Sequence, residues 1–150
     1  MIETDLAQAL GIFVEDVLKD LRLPMKNADP QSVQVFDGYL PPKKVLKDDQ
    51  WPFVIVRVQK VVSEMDSTVV TIDLVVGCYS PETDGYARCL EVMQRLRTAF
   101  CQLPAQTLAD RYQMRFPVEW NNVDEQPYPH WQMVMTTQWL MRTPQFVDQF

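Results

Sequence analysis

Few residues in this chain have the chemistry of a catalyst. The single histidine, His130, stands between Pro129 and Trp131, just ahead of a stretch with strand character. A histidine that acts as general base needs a nucleophile and an orienting carboxylate within hydrogen-bond reach. No GxSxG or comparable nucleophile context accompanies His130, so it reads as a loop histidine. The enzymatic alternative is a small hydrolase using His130 and loop carboxylates. It would require a concave pocket in which His130 sits beside a perturbed acid.

The cysteines give no better opening. Cys78, Cys89 and Cys101 are eleven and twelve residues apart, and none forms a CxxC pair. Structural zinc takes its ligands at short spacings, so neither a metal nor a cofactor is expected. Unpaired thiols of this kind suit a reducing compartment and packing in a core. Carboxylates come in pairs, Asp48 with Asp49, Glu64 with Asp66, Glu82 with Asp84 and Asp124 with Glu125, each in a polar stretch. Paired acids carry out glycoside hydrolysis when a sugar cleft surrounds them. Here they read as solvated loops. Asp48, Asp49, Glu64 and Asp66 could also face a pore that carries DNA, where they would repel its phosphates.

Charge excludes further classes. The formal net charge is −6 and the isoelectric point about 4.7. Nucleic-acid binding needs a basic face that displaces counterions. The densest basic spot, Lys43, Lys44 and Lys47, runs directly into Asp48 and Asp49, so sequence-specific nucleic-acid binding is not expected. With 4 glycines in 150 residues there is no Gly-rich phosphate loop. The first five residues are acidic and carry no apolar core of a signal peptide. No run of about 18 apolar residues occurs, so no membrane association is expected.

The elements that would position these groups follow from periodicity. From Glu3 to Arg22, Leu6, Leu10, Phe13, Val14, Val17, Leu18 and Leu21 recur at helical spacing, and Pro24 is a stop. Residues 24–52 lack clear periodicity, apart from a short strand at 33–36 and an Asp37-Gly38 turn. Residues 53–62 and 68–78 alternate, with Val54, Val56, Val58 and Val62 on one face of the first and Val70, Ile72, Leu74, Val76 and Cys78 on one face of the second. The polar gap from Ser63 to Ser67 makes them a hairpin.

A second helix begins at Ser80 or Asp84 and reaches Leu103. It buries Tyr86, Leu90, Met93, Leu96 and Phe100, widened by Cys89 and Leu103, with Arg97 inside the stripe, where it snorkels or meets a carboxylate. Residues 112–120 place Tyr112, Met114, Phe116, Val118 and Trp120 on one face, and Pro117 marks an edge strand or a bulge. The last strand, 131–142, lines up Trp131, Met133, Met135, Trp139 and Met141. The order α-β-β-β-α-β-β predicts a single α+β domain over residues 1–150, with two main helices on a mostly antiparallel sheet.

Three stretches, in order, resemble the tail-terminator (tail completion, neck) proteins of bacteriophages and prophages. They are Trp51-Pro52-Phe53-Val54-Ile55-Val56-Arg57; Gly77-Cys78-Tyr79 with Asp84-Gly85-Tyr86 and the helix Leu90 to Arg97; and Trp120 through Glu125-Gln126-Pro127-Tyr128-Pro129-His130-Trp131. The likeness runs over roughly residues 30–142 and rests on order and spacing. His130 departs from it, because the family often has a second aromatic there.

The resemblance implies a structural virion protein, without turnover, that forms a homo-hexameric ring. The ring would cap the tail tube protein at the neck end of the tail, stop its polymerisation and present a surface to the head connector. Assembly would take place in the host cytoplasm. The candidate subunit or partner interface comprises Arg97, Trp120, Tyr128, His130 and Trp131, since aromatic residues and Arg concentrate at interfaces. A head-completion adaptor or another minor tail protein is the alternative within the same class.

Overall fold

A computed structural model of the chain describes residues 2–25, 28–38, 52–82, 85–122 and 129–142. Asp48, Asp49, Asp84, Asp124, Glu125 and Tyr128 lie outside them. In chain order the elements are α1 (Ile2–Leu18), β1 (Arg22–Met25), β2 (Ala28–Ser32), β3 (Gln34–Asp37), β4 (Phe53–Ser63), β5 (Ser67–Tyr79) and α2 (Gly85–Cys101). A 3-10 turn (Pro104–Gln106), β6 (Thr107–Leu108), β7 (Tyr112–Asn122) and β8 (His130–Arg142) follow. The six-stranded sheet has the order β3-β4-β5-β8-β7-β6; β3 and β4 are parallel and every other pair antiparallel. The fold is α+β with the expected main order, joined by three short strands, β1, β2 and β6.

The central pair, β5 and β8, is in unbroken register from Ser67 opposite Arg142 to Tyr79 opposite His130. Its strict alternation sends Val70, Ile72, Leu74, Val76 and Cys78 of β5 and Met133, Met135, Trp139 and Met141 of β8 to one face. Both helices cover that face. Leu6, Leu10, Val14 and Leu18 of α1 and Cys89, Val92, Met93, Leu96 and Phe100 of α2 are buried in the same core. Phe100 joins the layers, its ring 5.2 Å from that of Phe13 and 6.0 Å from that of Trp139. Among the described residues the opposite face carries no helix. It holds a small apolar corner around Phe53 and Ile55 and then a polar stripe, in which Thr136 donates to Asp73 at 2.8 Å.

Four local expectations are corrected. The first helix stops at Leu18, not Arg22, and Pro24 lies inside β1. Leu21 and Leu23 are drawn into the core beyond the helix, and the β1–β2 hairpin, invisible to periodicity, supplies backbone partners there. In β4 a register shift between Val58 and Lys60 reverses the alternation. Val61 thus pairs with Val70 on the helix side, while Val62 moves to the open face.

In α2, Tyr86 is half exposed, and Gly85 and Val92 take buried positions instead. Of the two starts expected for this helix, the one at Ser80 is not used. The Ser80 hydroxyl accepts from the backbone of Glu82 at 3.3 Å, and the helix opens at Gly85. In β7, Phe116 is turned out to solvent. Four steps from Arg115 to Glu119 are matched by two from Gln138 to Thr136, so the expected bulge at Pro117 expels two residues. The Phe116–Pro117 peptide bond within it is cis.

Gly85 decides how α2 meets the sheet. A side chain there would collide with the indole of Trp131, and that indole is held by its Nε1 donating to the Ser80 carbonyl at 3.1 Å. The ring cannot swing aside without losing the bond. Gly85→Ala is therefore expected to cost about 1–3 kcal/mol, as overpacking of a filled site does, measurable as a lowered urea midpoint at unchanged slope.

Candidate subunit interface

The sheet ends on two exposed edges of different character. On one side, β3 pairs with β4 only from Phe53 to Val56. Arg57 still reaches the end of it, its Nε donating to the Gly38 carbonyl at 2.8 Å; beyond that, among the described residues, β4 has no strand partner on that side from Val58 to Ser63, and it carries exposed valines on both faces. Val58, Val61 and Val62 are 37%, 42% and 43% exposed, and Met65 at the tip of the turn to β5 is 89% exposed. An edge of β-branched residues with unpaired backbone groups is a template for another strand. Leaving four apolar side chains in water there is the kind of patch that marks an interaction site.

On the other side, β6 pairs only with Tyr112 and Gln113, so among the described residues β7 forms the edge from Met114 to Asn122. The expelled Phe116 is 48% exposed. Trp120 is half-buried, and the Arg97 guanidinium lies over its ring at 5.2 Å from the centroid. Arg97 thus stacks on an aromatic face across from α2, in place of snorkelling alone or meeting a carboxylate.

The expected interface residues separate accordingly. Arg97 and Trp120 come together at the β7 edge. Trp131 faces the helices as well, but four residues away from Met135, the partner of Trp120, or roughly 13 Å along the strand at 3.3 Å per residue. Its work is internal: besides the bond to Ser80, its carbonyl accepts from the Cys89 thiol at 3.4 Å. His130 projects to the opposite, open face, where its ring centre lies 5.6 Å from that of Tyr79. Glu64 and Asp66 are exposed at the tip of the β4–β5 hairpin. What sequence reasoning missed is the apolar arm of β4, because its alternation looks the same whether or not anything covers it.

Two concave regions among the described residues contain neither His130 nor a cysteine. A groove of about 290 Å³ between α1 and β3 is lined by Gly11, Ile12, Val35, Phe36 and Val56 with Glu15 and Asp37, far in the chain from His130 and the cysteines. A cleft of about 300 Å³ at the end of the sheet where β5 begins and β8 ends contains Arg111 and Arg142. Among the described residues no three His, Cys, Asp or Glu side chains are grouped to hold a metal ion, and no helix is long and apolar enough to cross a membrane.

The thiols divide by burial. Cys78 and Cys89 are fully buried and Cys101 is exposed, which corrects its expected place in the core. A hydrogen bond with Cys89, together with burial, holds the Cys78 thiol well above its ordinary range. A thiolate is the reactive form, so at neutral pH only Cys101 should react with a disulfide reagent, giving one equivalent per chain before denaturation and three after it. Because the folded state keeps Cys78 protonated, its contribution to stability is complete below the usual thiol range. It is lost as pH rises from that range through the raised value of the folded state.

No known family model matches the chain, and no curated protein is similar enough to count as a relative.

Proposed function

We propose that the protein is a tail terminator: a structural subunit that closes into a ring with copies of itself, caps the tail tube protein and offers a joining surface to the head connector. One observation carries this reading beyond the order of motifs. The sheet ends on two unlike apolar edges whose strands run in opposite directions. Strands β4, β5, β8 and β7 alternate in direction, so rotation about an axis along the strands brings β7 of one copy antiparallel to β4 of the next.

A contact between two different patches is heterologous, and heterologous contacts close into rings when the rotation divides a full turn. The bulges in both edges restrict pairing to a matching partner and discourage indiscriminate sheet growth. Such a protein acts by binding and shape, without turnover. Light scattering and negative-stain electron microscopy of the purified protein test it. Closed rings of one subunit number are expected. A protein that stays monomeric at millimolar concentration and also fails to bind preformed tail tubes would contradict the reading.

A further inference from the structure

We infer that the cleft between Arg111 and Arg142 receives the β4–β5 hairpin tip of a second copy, with Glu64 and Asp66 supplying the charge and Met65 the apolar contact. This inference rests on the ring reading above. The cleft has a volume of about 300 Å³ and is lined by Asp66, Ser67, Arg111, Gln113, Leu140 and Arg142. Two guanidiniums therefore face one carboxylate of their own chain. Among the described residues neither Arg111 nor Arg142 lies in an ion pair, and the contact that places Arg111 is its own neighbour's ring, Tyr112, at 5.2 Å. Arginine forks left in this state match carboxylates in particular, because two parallel N–H groups meet two oxygens.

The strand register says which carboxylates can arrive. Ser63 is opposite Thr68, Thr68 is opposite Met141, and Leu140 is opposite Gln113. The hairpin and the arginine cleft thus occupy the same end of the sheet: Asp66 and Ser67 line the cleft from the β5 side, Arg111 lies on the β7 side, and the outer strand of the hairpin, β4, forms the far edge. When β7 of one copy meets β4 of the next antiparallel, that end is shared, and the tip of the second copy lies level with Arg111 of the first. Glu64, Met65 and Asp66 are all exposed there. Leu140 gives the cleft an apolar wall for Met65, a side chain that adapts to irregular gaps. The acidic tip then joins subunits, in place of lining a pore.

Because the tip and the cleft belong to the same chain, a mixing experiment separates contact between copies from contact within one. One variant carries Arg111→Glu and Arg142→Glu; the other carries Glu64→Lys and Asp66→Lys. Each alone should assemble more than about tenfold more weakly than the unaltered protein, because like charges meet at every junction. An equimolar mixture should restore assembly to near the original level, since every junction in an alternating ring is then between opposite charges. Rescue on mixing cannot act within a chain, and it also shows that both variants are folded.

If the unaltered protein forms rings and both variants form them equally well, the tip–cleft contact is wrong and the ring reading stands. The same holds if both variants keep the original melting temperature, assemble poorly alone and are not rescued by mixing. If the unaltered protein forms no ring and binds no tube, both fall together.

Discussion

Trp139→Ala is expected to destabilise the fold by about 3–5 kcal/mol, the usual cost of emptying a buried aromatic site. Trp139 is fully buried on the central strand β8, opposite Val70 of β5 and Met114 of β7. Its ring meets Phe100 of α2 edge-on, so its loss opens a cavity at the junction of the helix and three strands. A polar chain is broken as well. The indole Nε1 donates to the Thr137 hydroxyl at 2.9 Å, and that hydroxyl donates to the Ile72 carbonyl at 2.9 Å, all within the core. Total stabilities of about 5–15 kcal/mol leave little reserve after such a loss. Equilibrium unfolding in guanidinium would measure it. Trp139→Phe keeps most of the volume and loses only the N–H bond, so it should cost about 1–2 kcal/mol. Equal effects from the two substitutions would show that packing is not the dominant contribution.

The second large effect should appear in assembly alone. Val61→Asp combined with Val62→Lys puts charges on the exposed arm of β4, one on each face of the strand. Neither valine contributes much to the core, so the melting temperature should shift by no more than a few degrees. Ring formation should weaken by about a hundredfold or more, as loss of a central interface contact does. Light scattering across a dilution series would read the change. A large fall in melting temperature, or unaltered assembly, would place the β4 arm in the fold and outside the interface.

The contrast between these two sites matches what the sequence could and could not disclose. Strands β5 and β8 were legible because the alternation of their core-facing residues is unbroken and each strand has a neighbour on both sides. The core face of α2 was legible from Cys89 to Phe100, Val92 excepted, because its apolar residues recur at helical spacing. The departures all have tertiary causes. Tyr86 follows the helical stripe, yet the indole of Trp131 against Gly85 fixes how the first turn sits, and that contact spans 46 residues of chain. The β1–β2 hairpin contains Pro24 and Pro30 and no alternation; only backbone pairing makes it a hairpin.

The register shifts in β4 and β7 reverse or expel side chains by adding residues to one strand of a pair, which no single strand's pattern can announce. The candidate interface suffered most from this limit. Arg97 and Trp120 were identifiable by type, and their stacking was not. The valines of β4 looked like core until the short reach of β3 left them uncovered.

Removal of the gene from the phage or prophage that carries it, followed by negative-stain microscopy of the lysate, tests the central proposal most directly. The terminator reading predicts tails of abnormal and variable length that fail to join heads. Complete, infectious particles with tails of normal length would contradict it.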